Sequence, residues 1–151
     1  MLCIKRHRTD PFFNIAAEEY FLKEFHDDCF MLWRNEPAVI VGKHQNTIAE
    51  INIDFVKNKN IPVVRRLSGG GAVFHDLGNL NFTFIKTNKA RESGHDFRKF
   101  TEPILEVLLK LGVNARFEGR NDLTIEGKKF SGNAMTIHKN RILHHGTLLF
   151  S

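Results

Sequence analysis

Cysteine is almost missing from this chain. Only Cys3 and Cys29 occur, with no CxxC spacing, which excludes a cysteine-built zinc site or a disulfide framework and makes a reducing, cytoplasmic setting the expectation. Neither thiol lies near a glycine loop or a histidine-bearing segment, so both read as buried structural thiols rather than nucleophiles. Long apolar runs are missing too. The opening "MLCIKRHRTDPFF" has no signal-peptide core, and no stretch approaches the roughly 20 apolar residues of a membrane span. Eight histidines are present, but never as HxH or HExxH. His144 and His145, adjacent on a predicted strand, would face opposite sides and could not chelate one metal. Tryptophan and tyrosine occur once each against 14 phenylalanines, so the core must lean on phenylalanine packing.

What the chain does have is positive charge. The formal net charge is +5 at pH 7, which suits an anionic partner. No basic run exceeds Arg65-Arg66 or Lys128-Lys129, and aromatics do not interleave with the basic residues, so no nucleic-acid surface is indicated. An anionic small ligand or an acidic protein fits about as well as nucleic acid would. With 151 residues, 42% of them hydrophobic, one domain with a substantial core is expected.

The chain reads as mixed α and β. "LCIKRH" is a first strand. Asp10-Pro11 supplies a cap and a first helical position for a helix running to about Phe25. "FMLWRN" and "AVIVG" flank Glu36-Pro37 as a hairpin, "IDFVKNKN" is a short helix, and "IPVVRR" a strand. "GAVFHD" and "LNFTFIK" read as a strand pair around Leu77-Gly78. "DFRKFTEPILEVLLKLG" is the clearest helix, with a stripe of Phe97, Phe100, Ile104, Leu108 and Leu111, a possible kink at Pro103 and a stop at Gly112. Four β-like runs follow: "VNARFEG", "DLTIEG", "KKFSGNAMTIH" and "RILHHGTLLF". Asn81-Phe82-Thr83 matches the glycosylation sequon but lies inside a strand-like run. The expectation is an α+β fold with a mixed, largely antiparallel sheet and flanking helices. The chain ends within the apolar run "TLLFS", which suggests a fragment.

Three stretches carry candidate chemistry. In "RRLSGGGAVFHDLGN", Gly69, Gly70 and Gly71 can form either a tight β-turn or a nest of N–H donors for an anion. Arg66 can hold an oxyanion in two-pronged fashion, and Ser68 adds a hydroxyl. A strand follows the glycines, so the stretch is no dinucleotide-binding fingerprint. Gly42-Lys43 and Gly127-Lys128 lack the earlier glycine of a Walker loop. In "GRNDLTIEGKKFSGNA", Asn121 and Asp122 offer oxygen ligands suited to Mg²⁺ beside nucleotide phosphates. Lys128 or Lys129 can neutralise phosphoryl charge; neighbours on a strand face opposite ways, so at most one serves a pocket. A hairpin turn with Glu126-Gly127 at its tip and solvated lysines fits the same residues. His75 and His145 read as pocket-wall or hydrogen-bonding groups.

Together, "WRNEPAVIVGKHQN", "RRLSGGGAVFHDLGNLNFTF", "GRNDLTIEGKKFSGNA" and "HHGTLLF" stand in the order and spacing of lipoate-protein ligases of the A type, and the chain resembles that family from about Asp10 onward. The resemblance implies a fold shared with biotin ligases and, distantly, class II aminoacyl-tRNA synthetases. It implies that residues 1–151 are a partial catalytic domain, with the remainder and a smaller accessory domain absent. The implied activity is ATP-dependent activation of lipoate to lipoyl-AMP and its transfer to a lysine of a carrier. Such carriers are lipoyl domains of 2-oxo acid dehydrogenase E2 subunits and the glycine cleavage H protein. Lipoate and adenylate contacts are implied at Arg66, Ser68, Gly71, His75, Asn79, Asp122, Lys129 and His145, with Ser131 and Gly132 in the "SGNA" stretch alongside. Lys129 would be the electrostatic centre of both half-reactions and Asp122 a ligand of Mg²⁺. "AVIVG", Trp33 and Phe82 or Phe84 are candidates to line a slot for the apolar tail. Two alternatives stay open: a lipoyltransferase using preformed lipoyl-AMP, and a non-catalytic module that binds lipoate or its adenylate. Related transferases that use a cysteine nucleophile fit less well, because neither cysteine lies in such a segment.

Overall fold

The computed structural model describes residues 1–88 and 96–150. In chain order the elements begin with β1 (Leu2–Lys5), α1 (Pro11–Lys23), β2 (Cys29–Trp33), β3 (Ala38–Val41), α2 (Thr47–Glu50) and α3 (Ile53–Asn58). They continue with β4 (Val63–Arg65), β5 (Val73–His75), β6 (Asn79–Thr87) and α4 (Phe97–Lys110). The last four strands are β7 (Ala115–Glu118), β8 (Asp122–Ile125), β9 (Lys128–His138) and β10 (Arg141–Leu149). Seven strands form one sheet in the order β1-β2-β6-β10-β9-β8-β7, and three form a second in the order β4-β3-β5. Only β1–β2 and β3–β4 pair in parallel; the other neighbours are antiparallel. The fold is thus α+β with a largely antiparallel sheet and flanking helices, as expected.

Local signals give several of these elements directly. Asp10 caps α1 by accepting the Phe13 amide at 2.9 Å, with Pro11 behind it in the first turn. Asp96 caps α4 in the same way, through Lys99 N–H. The helix runs through Pro103, and Gly112 at φ +82° follows its end. Leu111 falls off the predicted stripe, 72% exposed, because the buried face is Phe100, Thr101, Ile104 and Leu108. At the β8–β9 turn Glu126 and Gly127 both take positive φ, the backbone a tight two-residue hairpin needs.

Two strand pairings depart from the sequence reading. β2 and β3 form no hairpin, and neither do β5 and β6; in each case one strand lies in the large sheet and the other in the small one. The cause is the shared core. Met31 and Trp33 of β2 pack with Ile40 of β3, Val64 of β4 and Ile15 and Leu22 of α1, so the strands meet face to face rather than edge to edge. On the opposite face of the large sheet, α4 lays Phe100, Ile104 and Leu108 onto Phe82, Phe84, Leu123 and Ile142. Phe82 and Phe84 belong to that second core and not to the site below. Strand alternation divides the two faces: Phe82 and Phe84 point to α4, while Ile85 joins the first core. Asn81 is 1% exposed on a strand paired on both sides, which closes its sequon to modification.

Cys29 is buried, but Cys3 is exposed on β1, correcting the expectation for that residue. β1 is an edge strand whose residues are mostly solvated, so nothing covers the thiol. Burial pushes the Cys29 thiol up to about 11. A thiol-alkylating reagent at neutral pH should therefore add one label to the native chain, at Cys3, and a second only after unfolding. Mass spectrometry checks this, and two labels on native protein would contradict the packing around β2.

Candidate functional site

The two sheets part beside α1 to leave a cavity of about 430 Å³. Its wall combines an apolar part from Ile15, Trp33 and Ile40 with polar groups from the glycine segment and from β6, β9 and β10. Of the residues singled out in the sequence, Arg66, Gly70, Gly71, His75 and Asn79 line it, and so do Asn121, Lys129, Ser131, Gly132 and His145. Ser68, Gly69 and Asp122 do not. Trp33 and Ile40 of the predicted apolar slot are on the wall.

The paired arginines act differently from a ligand-gripping fork. Arg65 Nη1 donates to the carbonyls of Gly42 and Gln45 at 2.8 and 2.9 Å, and Nη2 to Thr47 Oγ1, tying down the turn after β3. Arg66 faces the other way and is 7% exposed. Its Nη1 donates to Ile40 O at 3.1 Å, its Nη2 to Gly69 O and Gly71 O at 2.8 Å each, and its Nε to Ser68 Oγ at 3.1 Å. Three of its N–H groups are thus spent on the loop and one on β3. Desolvation lowers its pKa, and the charge of Glu18 offsets only part of that fall.

This staple sets the direction of the loop's amides. In a trans peptide the C=O and N–H point opposite ways, and no cis bond occurs among the described residues. With the Gly69 and Gly71 carbonyls drawn onto Arg66, the N–H groups of Gly70 and Ala72 point away from the guanidinium. The amides of Gly69, Gly70 and Gly71 donate to no acceptor among the described residues. Gly70 sits at φ +98°, where other residues are strained. Its carbonyl passes 2.0 Å from where a Cβ on Gly42 would stand, so Gly42 has no room for a side chain. The result is a rigid loop that keeps its donors unspent, and this is what an anion nest requires.

Opposite the loop, β9 carries an extra residue. Leu123 pairs with Ser131 and Thr124 with Lys129, so Phe130 is bulged out. The bulge re-aims Lys129, and its Nζ lies 2.9 Å from Asp122 Oδ1. Both partners are at least one third exposed, so this ion pair adds under about 1 kcal/mol to stability. Lys128 is not on the cavity wall, as strand alternation requires. Asn121 is fixed by exchange of bonds with Asn133: each side-chain amide donates to the other's backbone carbonyl.

The two histidines of β10 face opposite ways, as predicted. His144 lies in the second core, stacked on Phe100 at 5.0 Å, with Nε2 3.2 Å from Asn133 Oδ1. His145 faces the cavity, with Nε2 2.6 Å from Ser68 Oγ and Nδ1 2.9 Å from Glu18 Oε1. His75, 4% exposed, receives a hydrogen bond from Asn35 Nδ2 at Nδ1. Asn35 is oriented in turn by Asn14, whose amide donates to Asn35 Oδ1. His75 Nε2 therefore carries the proton, is buried without a partner among the described residues, and lines the cavity. Burial, then the nearby His145, depress its pKa to about 4, making it a permanent neutral donor at physiological pH. Asn79 donates to Asn81 Oδ1, which leaves Asn79 Oδ1 and Asn81 Nδ2 as a buried acceptor and donor without partners among the described residues.

A buried donor set, an unspent amide loop, one poised lysine and an apolar wall make a site for an anionic ligand with an apolar extension. The lipoyl protein ligase A/B catalytic domain family matches residues 10–151. The chain belongs to this family. It is 52% identical over 144 residues to lipoate-protein ligase LplJ of Bacillus subtilis, covering 94% of this chain and 43% of that protein. It is 53% identical over 145 residues to lipoate–protein ligase 1 of Staphylococcus aureus, covering 95% and 44%. The chain thus spans less than half the length of these two relatives.

Solved structures of lipoate ligases share the fold. A bi-partite lipoate protein ligase from Thermoplasma acidophilum, described with its E2 lipoyl domain, superposes with TM-score 0.90 at 29% identity over 98% of this chain and 60% of that one. LipL1 of P. falciparum in complex with lipoate gives 0.83 at 32%, covering 98% and 47%. A lipoate-protein ligase A bound with ATP gives 0.88 at 28%, covering 99% and 67%. Sequence reasoning within this family found the glycine segment, the lysine and both pocket histidines. It missed Glu18, Asn35, Asn81, Thr83 and Asn133.

Proposed function

We propose that residues 1–151 carry the N-terminal part of the catalytic domain of a cytoplasmic, ATP-dependent lipoate-protein ligase. Its substrates are lipoate and ATP. Its acceptors are lysines of lipoyl domains in 2-oxo acid dehydrogenase E2 subunits and of the glycine cleavage H protein. The observation that carries this is the loop of Gly69, Gly70 and Gly71: Arg66 holds the Gly69 and Gly71 carbonyls, while Gly70 and Gly71 stand on the cavity wall with amides that donate to no acceptor among the described residues. The known ligands of the relatives support the reading: lipoate in one solved structure and ATP in another.

In the first half-reaction a lipoate carboxylate oxygen attacks the α-phosphorus of ATP, and the bond to pyrophosphate breaks. Charge grows on the phosphoryl oxygens, where fixed N–H donors and cations stabilise it. The loop amides take those oxygens, with Arg66 and Ser68 shaping the loop from behind. Lys129 swings from Asp122 to the carboxyl and phosphoryl oxygens, at little cost because that ion pair is solvated. His75 Nε2–H, Asn79, Asn121, Ser131 and Gly132 complete the polar wall, and Trp33, Ile15 and Ile40 hold the acyl tail. In the second half-reaction the carrier lysine's amine attacks the acyl carbon, AMP leaves, and the amine loses a proton.

Among the described residues no three His, Cys, Asp or Glu side chains gather around one point. Mg²⁺ bound with nucleotide phosphates needs only one or two carboxylates, so Asp122, next to Asn121 and Lys129, fits it. There the ion would neutralise the pyrophosphate leaving group.

Calorimetry with lipoate, ATP and Mg²⁺ tests the assignment. Lys129→Ala should bind about tenfold to a hundredfold more weakly than the parent chain, the loss of one charge-assisted contact. Equal affinity would remove Lys129 from the site. Pyrophosphate release from ATP and lipoate with no carrier present separates a ligase from a transferase that needs preformed lipoyl-AMP.

A further inference from the structure

Glu18 is a carboxylate on α1 that is only 2% exposed, and the proposed reaction gives it no task. Its Oε1 accepts the Thr83 hydroxyl at 2.6 Å, and its two oxygens lie 2.9 and 3.1 Å from His145 Nδ1. From His145 the contacts run on through Ser68 to Arg66 and so to the Gly69 and Gly71 carbonyls. Counting protons orients this chain. Arg66 Nε can only donate, so Ser68 Oγ accepts from it and gives its own proton to His145 Nε2. Nδ1 is then the protonated ring nitrogen and donates to Glu18. Every member is buried: Ser68 fully, Arg66 and His145 at 7% and 9% exposure. A second arm leaves the same carboxylate through Thr83 to the indole N–H of Trp33 on the apolar wall.

We propose that Glu18 is the positioning residue of the glycine loop: through His145 and Ser68 it fixes Arg66, and through Arg66 the direction of the Gly70 and Ala72 amides. An unpaired guanidinium could not remain so deeply buried, and no other carboxylate reaches Arg66 through such a chain among the described residues. Glu18 also holds Trp33, so one charge registers the wall for the acyl tail against the loop for the phosphate. The consequence for affinity rests on the function proposed above. The consequence for loop geometry does not.

The test uses ¹⁵N-labelled protein without ligand, comparing the parent chain with Glu18→Gln, Glu18→Asp and Ser68→Ala. In the parent, the Arg66 Nε–H resonance should be sharp and slow to exchange with water. In Glu18→Gln and Ser68→Ala it should broaden into exchange, and the amides of Gly69 to Ala72 should move by several linewidths, while the Glu126-Gly127 turn stays fixed. Glu18→Asp, which keeps the charge, should restore part of the parent spectrum, a rescue that a mere space-filling role would not give. ATP affinity in the presence of lipoate should fall about tenfold in Glu18→Gln. Loop amides and an Arg66 signal unchanged in folded Glu18→Gln overturn the proposal. If that variant does not fold, unchanged signals in Ser68→Ala overturn it equally. Loop amides that shift in the variants, with a parent chain that binds neither ATP nor lipoate, uphold the positioning role and overturn the proposed function instead.

Discussion

Gly146→Ala is expected to destabilise the protein by about 3 kcal/mol, the upper part of the usual range for overpacking a close-packed core. Gly146 lies on β10 between Phe82 of β6 and Asn133 of β9. A Cβ there would stand 2.3 Å from Asn133 Oδ1 and 2.5 Å from Phe82 Cζ. Neither neighbour can yield cheaply. Phe82 is fully buried against α4, and Asn133, 4% exposed, ties β9 to Asn121 and meets His144. Relief therefore requires the two central strands to move apart, and the cavity wall with them. For a chain of this size the thermal midpoint should drop by roughly 10 °C. Gly71→Ala is the natural control. Among the described residues its Cβ would meet nothing within 4 Å, and its φ is not in the left-handed region, so its stability should stay within about 0.5 kcal/mol of the parent. Calorimetric unfolding of the two variants side by side decides the matter. If Gly146→Ala cost no more than Gly71→Ala, the close packing between β6, β9 and β10 would be refuted.

The same contrast shows what could be read from the sequence. Caps and turns were legible because they are written within a few residues: Asp10 before Pro11, Glu126-Gly127 between two strands. The glycine loop was legible as a feature, but the task of its arginine was not. An arginine beside three glycines offers the same fork to a ligand or to the loop's own carbonyls, and only the fold shows that Arg66 spends four of its five N–H donors on the chain. Strand partners were misread for β2 with β3 and for β5 with β6, where closely spaced runs belong to different sheets. β2 and β3 are both continuous apolar runs, and an apolar run says that a strand is buried without saying what lies against it.

Glu18 was missed for a related reason, since its partner His145 is 127 residues away. One local signal was available. Asn14 and Glu18 fall at helical spacing on the buried stripe of α1, among Pro11, Ile15 and Leu22. A polar pair in register with the apolar positions of a short helix marks groups that must find partners inside the fold.

Acid should unfold this protein early, and two histidines are the reason. His144 is fully buried, and desolvation, with a smaller contribution from His145, depresses its pKa to about 3; His75 is depressed to about 4 by burial and then by His145. An unfolded histidine titrates near 6.5. Between these values the unfolded chain binds more protons than the folded one, so stability is complete above about pH 6.5 and falls as the pH drops toward 4. Each ring should cost about 2 kcal/mol by pH 5, at roughly 1.4 kcal/mol per pH unit. Urea unfolding at a series of pH values measures the slope. His144→Gln removes one titrating ring while leaving an amide that can still donate to Asn133. In that variant the fall between about pH 6.5 and 5 should shrink by close to half, even though its stability at neutral pH is lower than the parent's. A slope identical to the parent's would mean that His144 is already charged in the folded protein, and the stacked arrangement with Phe100 and Phe82 would have to be abandoned.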